Sequence, residues 1–275
     1  MADQPPFDLQ KYVDFEKAGW SEIAASYGEF ADRIMPQAIS ALLDAARITG
    51  GQTVVDVGTG PGYAAGAAAE RGAEAIGIDM APGMIAVAKE NYPAVDFRDG
   101  SAEDLPVEAN SADAVISNFG YLHFGDPDKA IAESARVLKS GGRLAFTIWS
   151  TPDRMQYMGC VTGAVMQHGD MNVDVPVAPN PFRFCDPEEA EKSLQAAGFK
   201  EVDVGEVLIS GRYSADELFK SLCQTAVRSK ALLQAQDAPT QEKIRNAIAE
   251  NGEALMKDGL VELNMPAVLV SAMKA

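Results

Sequence analysis

The segment VVDVGTGPG at residues 54–62 constrains the fold of this 275-residue chain more than any other feature. The β-branched run TVVDVG (53–58) predicts a buried strand, and the Ala-rich run after it (61–72) predicts a helix. Between them, glycine allows a sharp turn and a close approach of the backbone to a ligand. The glycines of this turn are Gly58, Gly60 and Gly62. The segment therefore predicts a strand, a ligand-binding turn and a helix in succession.

The same alternation of strand and helix continues as far as residue 150. Strands are predicted over residues 74–79, 95–100, 112–117 and 143–149. Helices are predicted over 82–91 and from Pro127, with Asp126 as N-cap, to the glycine pair at 141 and 142. Apolar strands that alternate with helices are typical of a mostly parallel sheet covered on both faces. We therefore predict a doubly wound α/β fold.

The remaining segments predict a lid, a cap and the rest of the sheet. Residues 18–47 have helical periodicity, and residues 151–186 form a segment that is long for a plain connection. After residue 186 the pattern predicts a helix that ends at residue 198 and a strand over 201–210. A second helix is predicted from Ser214 to about 235, with Glu217 at capping-box spacing. A third helix over 240–257 and a strand over 265–272 complete the prediction. We predict one domain with an N-terminal helical lid (1–46), a core (47–150, 187–210 and 264–275) and a substrate cap (151–186 and 211–263).

Charge and residue counts exclude several classes of function. The chain has 23 Lys and Arg against 40 Asp and Glu, a net charge of −17, which repels nucleic acids and anionic membranes. Two histidines are too few for a three-imidazole metal site, and Cys160, Cys185 and Cys223 form no CxxC pair. Neither GxSxG nor a P-loop occurs. We expect no metal, and without a secretory signal or a long apolar run we expect a cytoplasmic protein.

Two further motifs follow the next two strands. Asp79 ends the second strand, where an acid can accept both ribose hydroxyls of an adenosyl ligand. DGSAEDLP (99–106) follows the third strand and brings Ser101, Ala102 and Glu103 to where they can meet an adenine edge. A dinucleotide fingerprint would need Gly at position 63, where this chain has Tyr63, so the spacing argues against NAD.

Together these segments resemble the class I S-adenosylmethionine-dependent methyltransferases, especially the small-molecule type similar to ubiquinone and menaquinone C-methyltransferases. The matching motifs, in order over residues 50–150, are VVDVGTGPG, GIDMAPGMI (77–85), DGSAEDLP, DAVISNFGYLHF (113–124) and ARVLKSGGRLAFTIW (135–149). Ser140 departs from the family, which usually has proline before the double glycine. The resemblance implies a Rossmann-like fold with a seven-stranded, mostly parallel sheet, an antiparallel last strand and an α-helical cap.

The resemblance also implies S-adenosylmethionine as the cofactor. It implies that the three glycines lie along the methionine part of the cofactor and that Asp79 binds its ribose. It also implies that Asp56 holds the glycine turn or contacts the amine of the cofactor through water. The other cofactor contacts that it implies are Met80 and Met84 near adenine and ribose, Ser101, Ala102 and Glu103 at the adenine, Asn118 under the sulfonium with Phe119 beside it, and Tyr27 closing over the cofactor. A sulfonium with an ammonium group suits acidic and carbonyl partners better than a phosphate cradle.

The end of the fourth strand, where a substrate of this family meets the methyl group, carries Tyr121 and His123. His123 is a candidate general base, and Tyr121 is a candidate catalytic and substrate-binding residue. Trp20, Phe182 and Arg183 are further candidates for the acceptor site, Arg183 as partner of a substrate carboxylate. For each of these residues, ordinary packing is the alternative. In-line alignment of the reacting atoms supplies much of the rate, so a base is not obligatory.

We therefore predict an enzyme that transfers a methyl group from S-adenosylmethionine to a small-molecule acceptor by direct displacement. We expect a monomer or homodimer with no nucleic-acid or membrane partner. NFGY (118–121) lacks both prolines of the N-P-P-Y motif of amino-group methyltransferases. Two alternatives stay open, a catalytically silent S-adenosylmethionine-binding or regulatory protein and an NAD-dependent oxidoreductase. The sequence determines neither the acceptor nor the methylated atom.

Overall fold

A computed structural model describes residues 6–275, so residues 1–5 of the predicted lid lie outside the described residues. The strands are β1 (Thr53–Val57), β2 (Glu74–Asp79), β3 (Asp96–Asp99), β4 (Ala112–Asn118), β5 (Leu138–Trp149), β6 (Phe199–Val207), β7 (Ser210–Tyr213), β8 (Met256–Lys257), β9 (Leu260–Asn264) and β10 (Ala267–Lys274). The helices are α1 (Leu9–Ala31), α2 (Ile39–Ala45), α3 (Tyr63–Glu70), α4 (Pro82–Asn91), α5 (Pro127–Val137), α6 (Gly163–His168), α7 (Pro187–Ala196), α8 (Ala215–Gln224), α9 (Val227–Gln234) and α10 (Ala238–Glu253).

The central sheet has the strand order β3-β2-β1-β4-β5-β10-β6. β1 pairs in parallel with β2 and β4, whereas β10 runs antiparallel between β5 and β6. The predicted seven-stranded, mostly parallel sheet with an antiparallel last strand is confirmed. The chain order reverses between β1 and β4, and a crevice opens at such a point beyond the carboxyl ends of the strands. The fold therefore places the turn after β1 at the edge of this crevice.

Helices cover both faces of the sheet because both faces are apolar. On one face, α2, α3 and α4 pack over Val54, Ile116 and Ala145. On the other face, α5 and α7 pack over side chains such as Val115 and Leu144. A third apolar core lies between α1 and the cap helices. Burial on both faces explains the near-continuous apolar runs of the strands.

α1 joins the sheet core to the cap. A Cβ on Gly83 of α4 would lie 2.5 Å from the backbone oxygen of Ser21 in α1. A Cβ on Gly19 of α1 would lie 2.1 Å from a methyl carbon of Val227 in α9. These two close approaches need glycine, and they fix α1 over the carboxyl ends of the strands.

Two helix predictions are wrong at their ends. α5 stops at Val137 because β5 starts at the next residue. The glycine pair at 141 and 142, expected to end the helix, lies inside β5, beside an irregularity in the pairing of β5 with β4. α1 begins at Leu9 rather than at residue 18, with the Asp8 carboxylate accepting the Lys11 amide at 3.1 Å. The first turns of α1 therefore add residues to the strand-end region that the sequence prediction left out.

The cap also differs from its prediction. The helix expected over 214–235 is divided into α8 and α9 because Ala226 has an extended backbone, with φ −154° and ψ 128°. The strand expected over 201–210 ends at Val207, and β7 instead pairs with β9 in a three-stranded sheet of order β7-β9-β8. The capping box of Ser214 and Glu217 is confirmed at the start of α8.

Within residues 6–275, no helix is long and apolar enough to cross a membrane.

Replacing Gly77 of β2 by alanine is expected to destabilise the fold, although alanine normally suits a strand better than glycine. A Cβ there would lie 2.4 Å from the ring of Phe97, which is buried, and overpacking of this kind costs about 1–3 kcal/mol. Gly205→Ala in β6 is the matched control, because no heavy atom lies within 4 Å of its added Cβ. Thermal unfolding should show a lower Tm for Gly77→Ala only; equal Tm values for both variants would contradict the packing argument.

Candidate functional site

Two cavities meet at the carboxyl ends of the central strands. The smaller one, of about 110 Å³, lies against the loops that follow β1, β2 and β4, and we call it the strand-end cavity. The larger one, of about 340 Å³, lies between α1 and the cap, and we call it the cap chamber. Both are lined by Met35, His123, Trp149 and Thr225. The two cavities therefore adjoin each other at these residues.

The glycine turn forms one wall of the strand-end cavity. Gly58, Gly60 and Gly62 all have positive φ values, of 68°, 52° and 88°, which side chains rarely adopt. Gly58 and Gly60 line the cavity. Gly62 does not; it precedes α3, and a Cβ there would lie 2.8 Å from the Phe97 ring. The structure thus makes Gly62 a packing glycine instead of a cavity-lining residue.

Asp56 holds the glycine turn from behind. Its Oδ2 accepts the Thr59 hydroxyl at 2.7 Å and the Ala65 amide at 3.0 Å, and the residue is 1% exposed. It does not line the strand-end cavity. Burial raises the pKa of Asp56 to about 7, against the lowering effect of the two hydrogen bonds. Of the two roles expected for Asp56, the contacts support the one at the turn.

Asp79 ties the loop after β2 to the glycine turn. Its Oδ2 accepts the Gly60 amide and its Oδ1 accepts the Ala81 amide, both at 2.9 Å. Burial raises the pKa of Asp79, and the two amide hydrogen bonds oppose that rise. Each carboxylate oxygen has a second lone pair, so Asp79 can still accept hydroxyls of a ligand in the cavity that it lines.

The loop after β3 contributes Ala102 and Glu103 to the cavity wall. One oxygen of Glu103 accepts the Gly125 and Asp126 amides at 3.0 and 3.2 Å, and the other accepts the Ser101 hydroxyl. Ser101 does not line the cavity, and its hydroxyl orients Glu103. The Glu103 carboxylate therefore connects the loop after β3 to the segment that follows β4.

The end of β4 forms the floor between the two cavities. Asn118 accepts the Thr147 hydroxyl at 2.8 Å and donates to the Met35 backbone oxygen at 3.1 Å. Phe119 has φ 61°, a conformation that costs a non-glycine residue about 1–3 kcal/mol and that clusters at functional sites. Its ring stacks on Trp149 with centroids 4.1 Å apart. Both Asn118 and Phe119 line the strand-end cavity.

α1 and the loop after β2 close the cavity on the side of the lid. Trp20 and Tyr27 of α1 line it, with their rings edge to face at 5.8 Å, and so do Met80 and Met84. Trp20 also lies edge to face on His123, with centroids 4.8 Å apart. The expected lid residues are thus brought to the cavity together with His123.

Sequence reasoning missed Glu16. Its side chain is 5% exposed, and its Oε2 lies 2.8 Å from Trp20 Nε1 and 3.2 Å from His123 Nδ1. Tyr12, Glu16 and Trp20 recur at intervals of four residues, so Glu16 falls on the apolar stripe of α1. A carboxylate on an apolar stripe was the signal that could have identified it.

Two expected site residues lie elsewhere. Tyr121 is buried among Phe146, Phe124 and Phe184, its hydroxyl 3.1 Å from the Ser134 hydroxyl, and it lines neither cavity. Arg183 lies at the surface, 2.7 Å from an Asp128 oxygen, and also lines neither cavity. The Tyr121 and Arg183 assignments are therefore corrected: the first residue packs in the core, and the second forms ion pairs. Phe182 lines the cap chamber.

Comparisons with known proteins agree with this geometry. The family described as a methyltransferase domain matches residues 55–146. A demethylmenaquinone methyltransferase of Corynebacterium kroppenstedtii is 32% identical over 162 residues, which cover 55% of this chain and 69% of that protein. A demethylmenaquinone methyltransferase of Renibacterium salmoninarum is 39% identical over 111 residues, which cover 40% of this chain, and the match spans only 47% of that relative's length.

A solved structure shows the same fold over nearly the whole chain. It is that of phosphoethanolamine N-methyltransferase 2 of Haemonchus contortus in complex with S-adenosyl-L-methionine. The two proteins are 19% identical with a TM-score of 0.56, over 98% of this chain and 60% of that chain.

The Asp56 carboxyl is expected to make stability fall as the pH rises from about 4 to 7. Its folded pKa of about 7 lies above the ordinary value of 3.8, so the unfolded chain binds fewer protons in this window. Asp56→Asn keeps an oxygen for Thr59 and Ala65 but has no charge to bury. The free energy of unfolding of the variant minus that of the wild type should rise across this window by up to about 4 kcal/mol. Urea titrations at several pH values measure it, and a pH-independent difference would contradict the prediction.

Proposed function

The chain belongs to the class I S-adenosylmethionine-dependent methyltransferases, and we propose that it transfers a methyl group from S-adenosylmethionine to a small apolar acceptor by direct displacement. The observation that carries this proposal is the meeting of the two cavities at Met35, His123, Trp149 and Thr225. The strand-end cavity would hold the cofactor, and the cap chamber would hold the acceptor. In-line approach across the junction then supplies much of the rate, because the reacting atoms are held in position.

The donor groups of the strand-end cavity fit this cofactor. Asp79 and Glu103 line it, and among the described residues no lysine or arginine does. Acids and backbone groups favour the sulfonium and ammonium charges, whereas the pyrophosphate of NAD would face carboxylates without a cationic partner. When bound, S-adenosylmethionine supplies an electrophilic methyl group and leaves as neutral S-adenosylhomocysteine.

We assign the cofactor contacts to the residues that line this cavity. Asp79 would accept the ribose hydroxyls, Gly58 and Gly60 would lie along the methionine part, and Glu103 would face the adenine. Trp20 and Tyr27 would cover the cofactor from the lid. The other assigned lining residues are Met80, Met84, Ala102, Asn118 and Phe119.

The lining of the cap chamber favours an acceptor with an apolar body. Methionine side chains form much of its wall, and such side chains adapt to irregular ligands. These methionines are Met35, Met155, Met158, Met166, Met171 and Met265. Phe15, Phe30 and Phe182 add aromatic surface, and His123 and Arg228 are among the ionisable groups that line it. The curated relatives are named for demethylmenaquinone, whose apolar ring system has this character.

A direct assay tests the proposal. The full chain is incubated with S-adenosylmethionine and a reduced demethylmenaquinone with a short side chain, and mass spectrometry follows the addition of one methyl group. We expect S-adenosylhomocysteine and the methylated product to form in equal amounts. Binding of S-adenosylhomocysteine without turnover of this or other apolar hydroxyl compounds would favour a catalytically silent binding protein.

Asp79→Asn is expected to weaken binding of S-adenosylhomocysteine at least tenfold, because a charged acceptor for the ribose is lost. Asp99→Asn is the matched control. Asp99 ends β3 as the register partner of Asp79, it is exposed, and it does not line the cavity. Calorimetric titration of both variants measures the effect; equal affinities would remove Asp79 from the ribose site.

Phe182→Ala is expected to raise the KM for the acceptor several-fold without changing the affinity for S-adenosylhomocysteine, because Phe182 lines only the cap chamber. Arg183→Met is the control from the neighbouring position, where the side chain forms ion pairs outside both cavities. Steady-state kinetics with the reduced demethylmenaquinone separates the two variants. A raised KM in Arg183→Met alone would restore Arg183 to the acceptor site.

A further inference from the structure

We propose that Glu16 positions His123 as the base that removes a proton from the acceptor. The acceptor is therefore an apolar aromatic compound with an ionisable hydroxyl group. This inference rests on the proposed function, since it places the acceptor in the cap chamber. His123 is the catalytic residue in this reaction, because it lines both cavities. Glu16 is a positioning residue that acts through His123.

The contacts around His123 bear on which ring nitrogen is available. Glu16 Oε2 lies 3.2 Å from Nδ1, which is ion-pair distance, and a carboxylate at this place favours a proton on Nδ1 over one on Nε2. Among residues 6–275, no group hydrogen-bonds Nε2. The Tyr12 hydroxyl donates to the His123 backbone oxygen at 3.2 Å, and Trp20 packs against the ring at 82°. The ring is therefore held with an unprotonated Nε2 available as a base.

The burial of Glu16 supports a role beyond packing. Its side chain is 5% exposed, and within the described residues His123 is its ion-pair partner, with no lysine or arginine within 4 Å. A buried carboxylate without a cation costs stability, and such groups cluster at functional sites. When His123 takes a proton, the resulting imidazolium neutralises Glu16.

The proton and the electrons balance in this scheme. The hydroxyl proton of the acceptor moves to Nε2 of His123, and the electron pair left on the acceptor oxygen forms its bond to the methyl carbon as the carbon–sulfur bond breaks. Where a ring carbon conjugated to that oxygen attacks instead, the hydrogen on that carbon then leaves as a proton and the oxygen takes up a proton, which restores the aromatic ring. The pair of that bond stays on sulfur, which loses its charge. His123 then releases the proton to solvent. An apolar chamber raises the cost of a free oxyanion, so a base at its edge has most effect on a hydroxyl attached to an aromatic ring.

Nitrogen NMR of the imidazole rings tests the positioning part without any turnover. The chain has two histidines, and His168, exposed at the end of α6, is the internal reference that His168→Gln identifies. With [¹⁵N]histidine, the spectrum of the neutral wild type should show His123 protonated at Nδ1. Glu16→Leu should move the proton largely to Nε2. Asp14→Asn, an exposed acid on the same helix, should change nothing. A wild type protonated at Nε2, or an unchanged Glu16→Leu spectrum, would overturn the proposal.

A chromophoric phenol tests the proton transfer. 4-Nitrophenol is bound in the presence of S-adenosylhomocysteine, and its absorbance gives the ratio of phenolate to phenol in the chamber. Glu16→Gln keeps an oxygen for Trp20 and His123 but has no charge, so this ratio should fall at least tenfold, as it should in His123→Ala. Arg228 is present in every variant, so its charge does not explain a difference between them.

The double variant Glu16→Gln with His123→Ala should match His123→Ala alone, because Glu16 acts through His123. An unchanged ratio in Glu16→Gln, or an additive loss in the double variant, would overturn the role of Glu16. A phenol that does not bind would overturn the substrate class. Failure of the proposed function would give a different result. The protein would then not bind S-adenosylhomocysteine or would not transfer a methyl group, although its His123 is still protonated at Nδ1.

Discussion

The hydrogen bond from the Gly60 amide to the Asp79 carboxylate joins the loops that follow two neighbouring strands, and the whole site depends on it. Parallel strands bring their carboxyl ends to one edge, but they do not by themselves fix the loops beyond that edge. Asp79 fixes the turn from the front and Asp56 fixes it from behind through Thr59. Glu103 extends the arrangement by accepting amides from the segment after β4. Side-chain carboxylates that accept backbone amides therefore join the loops in two pairs, those after β1 and β2 through Asp79 and those after β3 and β4 through Glu103.

These carboxylates also determine which ligands the site can accept. Asp56 and Asp79 have raised pKa values because they are buried, and Glu16 is buried beside His123. Each lies near the cavities, and within residues 6–275 no lysine or arginine forms an ion pair with any of the three. Such burial lowers stability, and a cationic ligand recovers part of that loss on binding. The local charge thus favours a sulfonium compound over a dinucleotide. The tyrosine at position 63 argues against a dinucleotide for a separate reason, because the fingerprint needs glycine there.

The sequence predicted the sheet well because its strands and turns depend on local signals. β-Branched runs, the glycine turn and the N-cap at Asp126 each specify an element within a few residues, and the antiparallel last strand follows from the family resemblance. The cap could not be predicted in this way. Ala226 has no intrinsic reason to interrupt a helix; it lines the cap chamber, and the next residue, Val227, lies against Gly19 of α1. The hairpin of β8 and β9 is an exception, since Asp258 and Gly259 form a turn that a sequence pattern can reveal.

Site residues were predictable when they lie on loops after strands and were missed when they lie on long helices. Gly58, Gly60 and Asp79 occupy positions that the alternation of strand and helix brings to one edge. Tyr121, three residues after the end of β4, instead packs its side chain into the core against Phe146. On α1, an apolar stripe specifies a buried face but not what that face covers. Because α1 crosses between the sheet core and the cap, a single acid on its buried stripe reaches His123 at the junction of both cavities. The position of one helix, set by the close approaches at Gly19 and Gly83, thus decides whether the histidine after β4 is a packing residue or a base.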